Sequence, residues 1–257
     1  MSVKALSDKE FRARNSHRFF LPEILPGQDR SVDLTPLAHQ LGKVLRLAPG
    51  SLITLLDGSG TAFVTQIEDL ADDRVTGRVL AQEPVRSEPG IALTLFQCVL
   101  KRDRFEWVLQ KGTELGVSRF VPVISSRTVV RPAAKLLPKY DRWRAIIREA
   151  AEQSRRGRLP ILQNPLGWEE ALDHGAGQRL LAWEEAEGTD TGLGTVLAKS
   201  DTVSLLIGPE GGISREEAAA AIDRGWQCVS LGPRILRAET AAVAATAVAL
   251  HLSGSLG

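Results

Sequence analysis

Two rhythms of apolar and polar residues divide this chain. From about residue 17 to 85 the apolar runs are short and strand-like: "RFFL", "SLITLLDG", "TAFVTQIED" and "RVTGRVLAQE", with Asp-Gly and Ser-Gly turn signals between them. One short helix is predicted around "LTPLAHQLGKVL". That texture reads as a small β-barrel or sandwich. The stretch "EPVRSEPG", residues 83–90, then places two prolines and a glycine between apolar segments, as a linker does.

Beyond residue 90, strand patterns alternate with helical ones. "IALTLFQCVL" is a strand; "RDRFEWVLQKGTELG" then sets Phe105, Val108, Leu109 and Leu115 at near-helical spacing and stops at Gly116. "FVPVISS" predicts the next strand, and "LPKYDRWRAIIREAAEQS" a helix with Tyr140, Trp143, Ile147 and Ala150 on one face. "RLLAWEE", "VSLLIG" and "QCVSLG" supply three more strands, with helical patterns between and after them. Such alternation predicts a parallel α/β sheet covered on both faces, binding ligands at the carboxyl ends of its strands. The alanine-rich "AAVAATAVAL", residues 241–250, predicts a closely packed helix, a candidate for contact with a second copy of the chain. No internal repeat is present.

Two strand ends carry the chemistry. In "SLLIGPEGGIS", residues 204–214, Gly208, Gly211 and Gly212 let the backbone turn sharply and approach a ligand. Ser214 with Glu217 has capping-box spacing, so a helix begins near Arg215. A plain strand-to-helix turn explains that stretch equally well. The second stretch, "SLGPRILRAETAA", residues 230–242, shifts the balance. It holds Ile235 and Leu236 in a loop just before Arg237, Glu239 and Thr240 open a helix. Apolar loop residues need a partner, and an adenine ring between the two loops would supply one.

Composition narrows the class without naming it. The 257 residues are 43% hydrophobic and 25% charged, which is ordinary globular composition, and the length favours two domains. No apolar run is long enough to span a bilayer, and "MSVKALSDKEFRAR" lacks the apolar stretch of a secretory signal, so a cytoplasmic protein without a membrane partner is expected. Only Cys98 and Cys228 occur, both in strand-like runs, as expected of reduced, buried thiols. Net charge is +1, but basic residues cluster. Lys4, Lys9, Arg12, Arg14, Arg18 and Arg30 precede residue 31, and "QSRRGR" spans 153–158; a phosphate-binding face forms if these meet.

Several familiar sites are missing. "GLGTVLAKS" has Ala198 where a phosphate loop needs Gly and Leu197 where a dinucleotide fingerprint does, so it is read as helix. That weakens a nucleotide-dependent oxidoreductase reading. Histidines 17, 39, 174 and 251 never take zinc-ligand spacing, and no metal is expected. Asp57 precedes "GSG" where a hydrolase elbow needs Gly.

Four ordered blocks, "KRDRFEWVLQKGTELGV", "REAAEQSRRGRLP", "IGPEGGIS" and "LGPRILRAETA", resemble the signature blocks of the ribosomal RNA small subunit methyltransferase E family. "HRFFL" and "HQLGKVLRLAPG" extend the resemblance to the amino-terminal part. It implies α/β architecture: a PUA-like RNA-binding β-barrel over residues 1–85 and a SPOUT methyltransferase domain with a trefoil knot over 86–257. It also implies S-adenosylmethionine as methyl donor, N3 of a uridine in 16S ribosomal RNA as target, the RNA or the small ribosomal subunit as partner, and a homodimer. On this resemblance Leu206, Gly208, Pro209, Glu210, Gly211, Gly212, Leu231, Gly232, Ile235, Leu236 and Ala241 contact the cofactor. Arg237 stabilises the anion left when N3 loses its proton, with Glu239 or Glu210 as the base or its positioner. Arg18, Arg46, Arg155 and Arg156 are the candidates for RNA phosphate, while Lys111 and Glu114 pair along a helix. Two other readings stay open: a non-catalytic RNA-binding assembly factor, and a SPOUT enzyme for another base.

Overall fold

The computed structural model describes residues 17–21, 30–71, 74–130, 133–186, 192–197 and 200–256. Lys4, Lys9, Arg12, Arg14 and Ala198 lie outside the described residues. Two compact units emerge. One comprises the chain up to Glu88 together with Arg155–Arg158; the other comprises Pro89–Ser154 and Leu159–Gly257.

The first unit is built on β1 (His17–Phe20), β2 (Ser31–Asp33), β3 (Leu52–Leu56), β4 (Thr61–Leu70) and β5 (Val75–Pro84). They pair in the order β1-β3-β4-β5-β2, with β1 parallel to β3 and the other pairs antiparallel. The expected short helix is present as a 3-10 turn, Thr35–Leu37, followed by a wide π-type helix, His39–Val44. It places Leu37 and Leu41 against Phe19, Ile53, Leu55, Ile67 and Val79, which form this unit's core. Removing such side chains from water is the main favourable contribution to its folding.

The second unit alternates strand and helix as the sequence predicts. In chain order it runs β6 (Ala92–Cys98), α1 (Arg104–Leu115), β7 (Arg119–Ile124), α2 (Tyr140–Gln153), β8 (Ile161–Leu162), β9 (Leu166–Gly167), α3 (Trp168–Asp173) and β10 (Gln178–Ala182). There follow α4 (Leu193–Val196), β11 (Thr202–Ile207), α5 (Arg215–Asp223), β12 (Gln227–Val229) and α6 (Ala238–Leu252). The sheet order is β12-β10-β11-β6-β7-β8, with β9 beside β7, and every pairing is parallel.

Apolar side chains leave both faces of this sheet. Leu93, Leu95, Val203, Leu205 and Ile207 join Phe105, Trp143 and Ala245 on one side, while Phe96, Val121, Leu206 and Trp226 form the core of the other. Helix α2 buries Tyr140, Trp143, Ile147 and Ala150, the face its spacing predicts. Gly112 of α1 is a point of close approach. A Cβ there would stand 2.8 Å from Cε1 of Phe120, so only glycine lets the helix lie this near β7. Among the described residues no helix is long and apolar enough to cross a membrane.

Candidate active site

The carboxyl ends of β10, β11 and β12 converge on one cavity of about 750 Å³. Each strand end contributes a different loop. After β11, the chain breaks at Gly208-Pro209 and runs through Glu210 to Gly212; after β12, residues 230–237 lead into α6. The third wall is Ala182, the last residue of β10, with Trp183 and Glu184 just past it. This is the arrangement a parallel sheet offers to a ligand.

Local hydrogen bonds fix the loops. Ser214 accepts from the backbone N–H of Glu217 at 3.2 Å, and the Glu217 carboxylate accepts from Ser214 N at 3.1 Å, so the expected capping box starts α5. The other Glu217 oxygen accepts from Ser126 N at 2.7 Å, tying the loop after β7 to the same helix end. Buried Gln97, in β6, donates to the Gly208 carbonyl at 3.4 Å. Gly212 has φ +71, and its Cβ-less face is where the Glu184 carboxylate approaches, so a side chain here is opposed both by backbone and by space.

Arg104 stands at the start of α1, just beyond the carboxyl end of β6, and reaches the cavity. Its Nη1 lies 3.6 Å from Oε1 of Glu210 and its Nε 3.6 Å from Oε1 of Glu239. Glu210 also accepts from the Lys101 backbone N–H at 2.9 Å, so this carboxylate pins the β11 loop to the β6 loop. Glu239 is different. Its Oε2 is buried and has no hydrogen-bond partner among the described residues, although it belongs to a residue lining the cavity. A buried carboxyl oxygen without a donor is costly, and a ligand N–H or O–H would relieve it. Arg237, the residue before α6, is exposed on the same wall.

The structure brings most of the expected cofactor residues together: Gly208, Pro209, Glu210, Gly212, Leu231, Gly232, Ile235, Leu236 and Ala241 all line the cavity. Two do not. Leu206 is fully buried in the core with Phe96 and Trp226, because strand alternation turns it to the face opposite its neighbour Ile207. Gly211 faces Arg127: a Cβ there would meet that side chain's Cβ at 3.0 Å rather than a ligand, and Arg127 Nη1 donates to the Gly211 carbonyl at 3.0 Å. Sequence reasoning missed Arg104, Trp183 and Glu184. A signal existed, since "RLLAWEE" was read as a strand and its carboxyl end is a ligand position like the other two.

Comparison with known proteins agrees with this geometry. Residues 87–250 match the RNA methyltransferase domain family, and residues 38–80 match the RNA methyltransferase PUA domain. The ribosomal RNA small subunit methyltransferase E of Synechocystis is 37% identical over 217 residues, 83% of this chain and 70% of that protein. Its Bacillus subtilis counterpart is 30% identical over 211 residues, 79% of this chain and 82% of that protein. This chain belongs to the ribosomal RNA small subunit methyltransferase E family. The family member from Neisseria gonorrhoeae, crystallised bound to S-adenosyl methionine, superposes with a TM-score of 0.81 at 37% identity, covering 91% of this chain and 96% of that one. A putative methyltransferase from Legionella pneumophila, in complex with the bound cofactor SAM, gives 0.82 at 32% identity over 91% and 97% of the two chains.

Of the arginines expected to meet RNA in this family member, Arg156 is placed otherwise. Its side chain is only 4% exposed, and its Nη2 donates to Glu88 Oε2 at 2.9 Å. The other Glu88 oxygen accepts from Gly157 N at 2.8 Å and Arg158 N at 3.1 Å. Arg156 is therefore a buried structural cation. Arg46 is exposed at φ 51, and Arg155, at φ 63, has its carbonyl held by Ser87 Oγ at 2.6 Å. Arg18 is half-buried; burial, and then the like charge of Arg155, lower its guanidinium below the ordinary value, while Glu83 acts in the opposite direction. Lys111 and Glu114 pair at 2.8 Å, as their spacing predicts.

Proposed function

We propose that this chain is an S-adenosylmethionine-dependent methyltransferase acting on N3 of a uridine in 16S ribosomal RNA. The observation that carries the proposal is the buried, unpartnered Oε2 of Glu239 beside Arg104, in a cavity built from three strand ends. The cavity fits the cofactor. Its volume suits a nucleoside with a short amino-acid tail, its Leu231, Leu236 and Ala241 offer an apolar seat for adenine, and Glu184 and Glu210 add carboxylates toward a cationic ligand. S-adenosylmethionine supplies the electrophilic methyl group when bound.

The residues of the chain do the rest. Glu239 Oε2 accepts the proton from N3, and Arg104 holds the same carboxylate in place through Oε1. Arg237, exposed on the cavity wall, is assigned to stabilise the negative charge that deprotonation leaves on the uracil oxygens. Glu210 is read as the loop pin, since its Oε1 accepts from Lys101 N and faces Arg104 while the buried oxygen without a partner belongs to Glu239.

The finer architecture belongs to the same proposal. The five-stranded sheet is read as a PUA-like barrel over residues 1–85 that grips the RNA, and residues 86–257 as a SPOUT domain with a trefoil knot. Support comes from the order β12-β10-β11-β6, in which the last strand lies outside β10 and the chain then returns as α6 to pack on α1 and β11. A cytoplasmic homodimer, with the small subunit or its RNA as partner, completes the reading.

The test is transfer of labelled methyl from S-adenosylmethionine to 16S RNA and to small-subunit particles. Transfer by the wild type that falls sharply in Glu239→Gln, with donor affinity retained, is expected. Donor binding without transfer to either substrate would instead favour a non-catalytic assembly factor.

A further inference from the structure

The loop between β12 and α6 carries a feature that donor binding does not explain. Ile235 sits at the cavity, yet is 88% exposed, the most exposed of the large hydrophobic residues described. It is flanked by Arg234 and Arg237, both exposed, and neither has an ion pair or side-chain hydrogen bond among the described residues. Near the same rim, the loop after β6 presents Lys101 and Arg102. Lys101 is tethered by its backbone to Glu210, and Arg102 is held at φ 57; both side chains are exposed, with no carboxylate partner among the described residues. Among the described residues of this rim, Arg104 is the cation that is neutralised, between Glu210 and Glu239. The mouth of the cavity is thus an apolar tip set among uncompensated cations.

That combination fits a nucleic-acid strand better than a small cationic donor. Cations without carboxylate partners are suited to phosphates, and a bare aliphatic side chain between them is suited to the face of a base or to the gap a base leaves. An N3 atom lies on the pairing edge of uridine, so an enzyme that reaches it acts on an unpaired base or turns the base out of the helix, and a side chain packed beside the target holds it in the reactive position.

We propose that Ile235 is a wedge that packs against the RNA beside the target uridine, with Arg234 and Arg102 holding the phosphates on either side. The inference rests on the methyltransferase reading, and assigns the exposed side chains of Arg234 and Ile235 to substrate RNA while Leu236 stays with the donor.

The experiment compares wild type, Ile235→Ala and Arg102→Ala/Arg234→Ala with three readouts: S-adenosylmethionine affinity by calorimetry, 16S RNA affinity across a salt series, and methyl-transfer kinetics. For Ile235→Ala the expected result is donor affinity within twofold of wild type and a loss of about tenfold in kcat/KM for RNA, the scale of truncating one buried aliphatic side chain. For the double arginine variant, the slope of log affinity against log salt should fall by roughly 1.5, as for two lost single-strand phosphate contacts. Equal losses in donor and RNA affinity for Ile235→Ala would return the residue to the donor pocket and overturn the proposal. So would a change from dimer to monomer in light scattering, which would mean that a second copy covers the tip. Wild-type transfer with unaffected variants overturns the wedge alone; no wild-type transfer overturns both it and the methyltransferase reading.

Discussion

Replacing Glu88 separates a structural arginine from an RNA-binding one. In Glu88→Ala, Arg156 loses the carboxylate 2.9 Å from its Nη2, and the Gly157 and Arg158 N–H groups lose their acceptor. Removing one partner of a buried ion pair costs about 3–5 kcal/mol. Glu88 is 20% exposed while Arg156 is 4% exposed, so water can reach part of the vacated site and the lower end, about 3 kcal/mol, applies. For a chain of this size that lowers the melting temperature by roughly 6–12 °C. Glu88→Gln retains an acceptor oxygen for the two backbone donors but not the charge, and should lose about half as much. The assay is thermal and urea unfolding of both variants, with Arg156→Leu completing a double-mutant cycle. A coupling of more than about 1 kcal/mol between Glu88 and Arg156 is expected. An unchanged melting temperature in Glu88→Ala, with Arg156→Leu weakening RNA binding alone, would refute the structural assignment.

Other positions give equally definite outcomes. Glu239→Gln should lower kcat by about 10²–10⁴-fold, the range of a lost general base, while calorimetry finds donor affinity little changed; undiminished turnover would remove Glu239 from the proton path. Gly212→Ala forces a Cβ into a left-handed backbone position and against Glu184, costing about 1–2 kcal/mol in backbone alone, and should weaken donor binding measurably by calorimetry. Gly112→Ala places a methyl 2.8 Å from the Phe120 ring and should destabilise by about 1–3 kcal/mol in urea unfolding, without altering donor affinity. Burial pushes the Cys98 thiol up to about 12, partly opposed by hydrogen bonds from Ser125 and Thr128. Because the folded value lies above the ordinary one near 9, its contribution to stability is complete below pH 9 and is lost between there and about pH 12. Cys228 is only partly buried, unlike the buried thiol its strand pattern predicts, so at pH 8 a thiol reagent should modify it slowly and Cys98 only after unfolding; rapid labelling of Cys98 in the folded protein would contradict its burial.

What the sequence revealed depended on how far apart the deciding residues lie. Helix α2 was legible because Tyr140, Trp143, Ile147 and Ala150 repeat with the period of the helix, and the start of α5 because Ser214 and Glu217 cap one another locally. Strand β2, three residues long, is too short to show a pattern. The resemblance places Leu206 at the cofactor, and the strand "VSLLI" does little to separate it from Ile207. In a parallel sheet both faces are buried, so apolar residues fall on each, and the one polar residue of the run, Ser204, bonds within the sheet's own loops. Arg156 looked like a phosphate ligand because its partner, Glu88, is 68 positions away and nothing local announces the pair. The convergence of Arg104 with Glu210 and Glu239 was hidden for the same reason, since it joins the ends of β6 and β11 to the first turn of α6.

Nucleoside mass spectrometry of 16S RNA, after incubation with the protein and S-adenosylmethionine, tests the central claim most directly. A new 3-methyluridine, present with the wild type and depleted with Glu239→Gln, is the result this account predicts. A methylated nucleoside other than 3-methyluridine, or an unmodified RNA under conditions where the donor is bound, would contradict it.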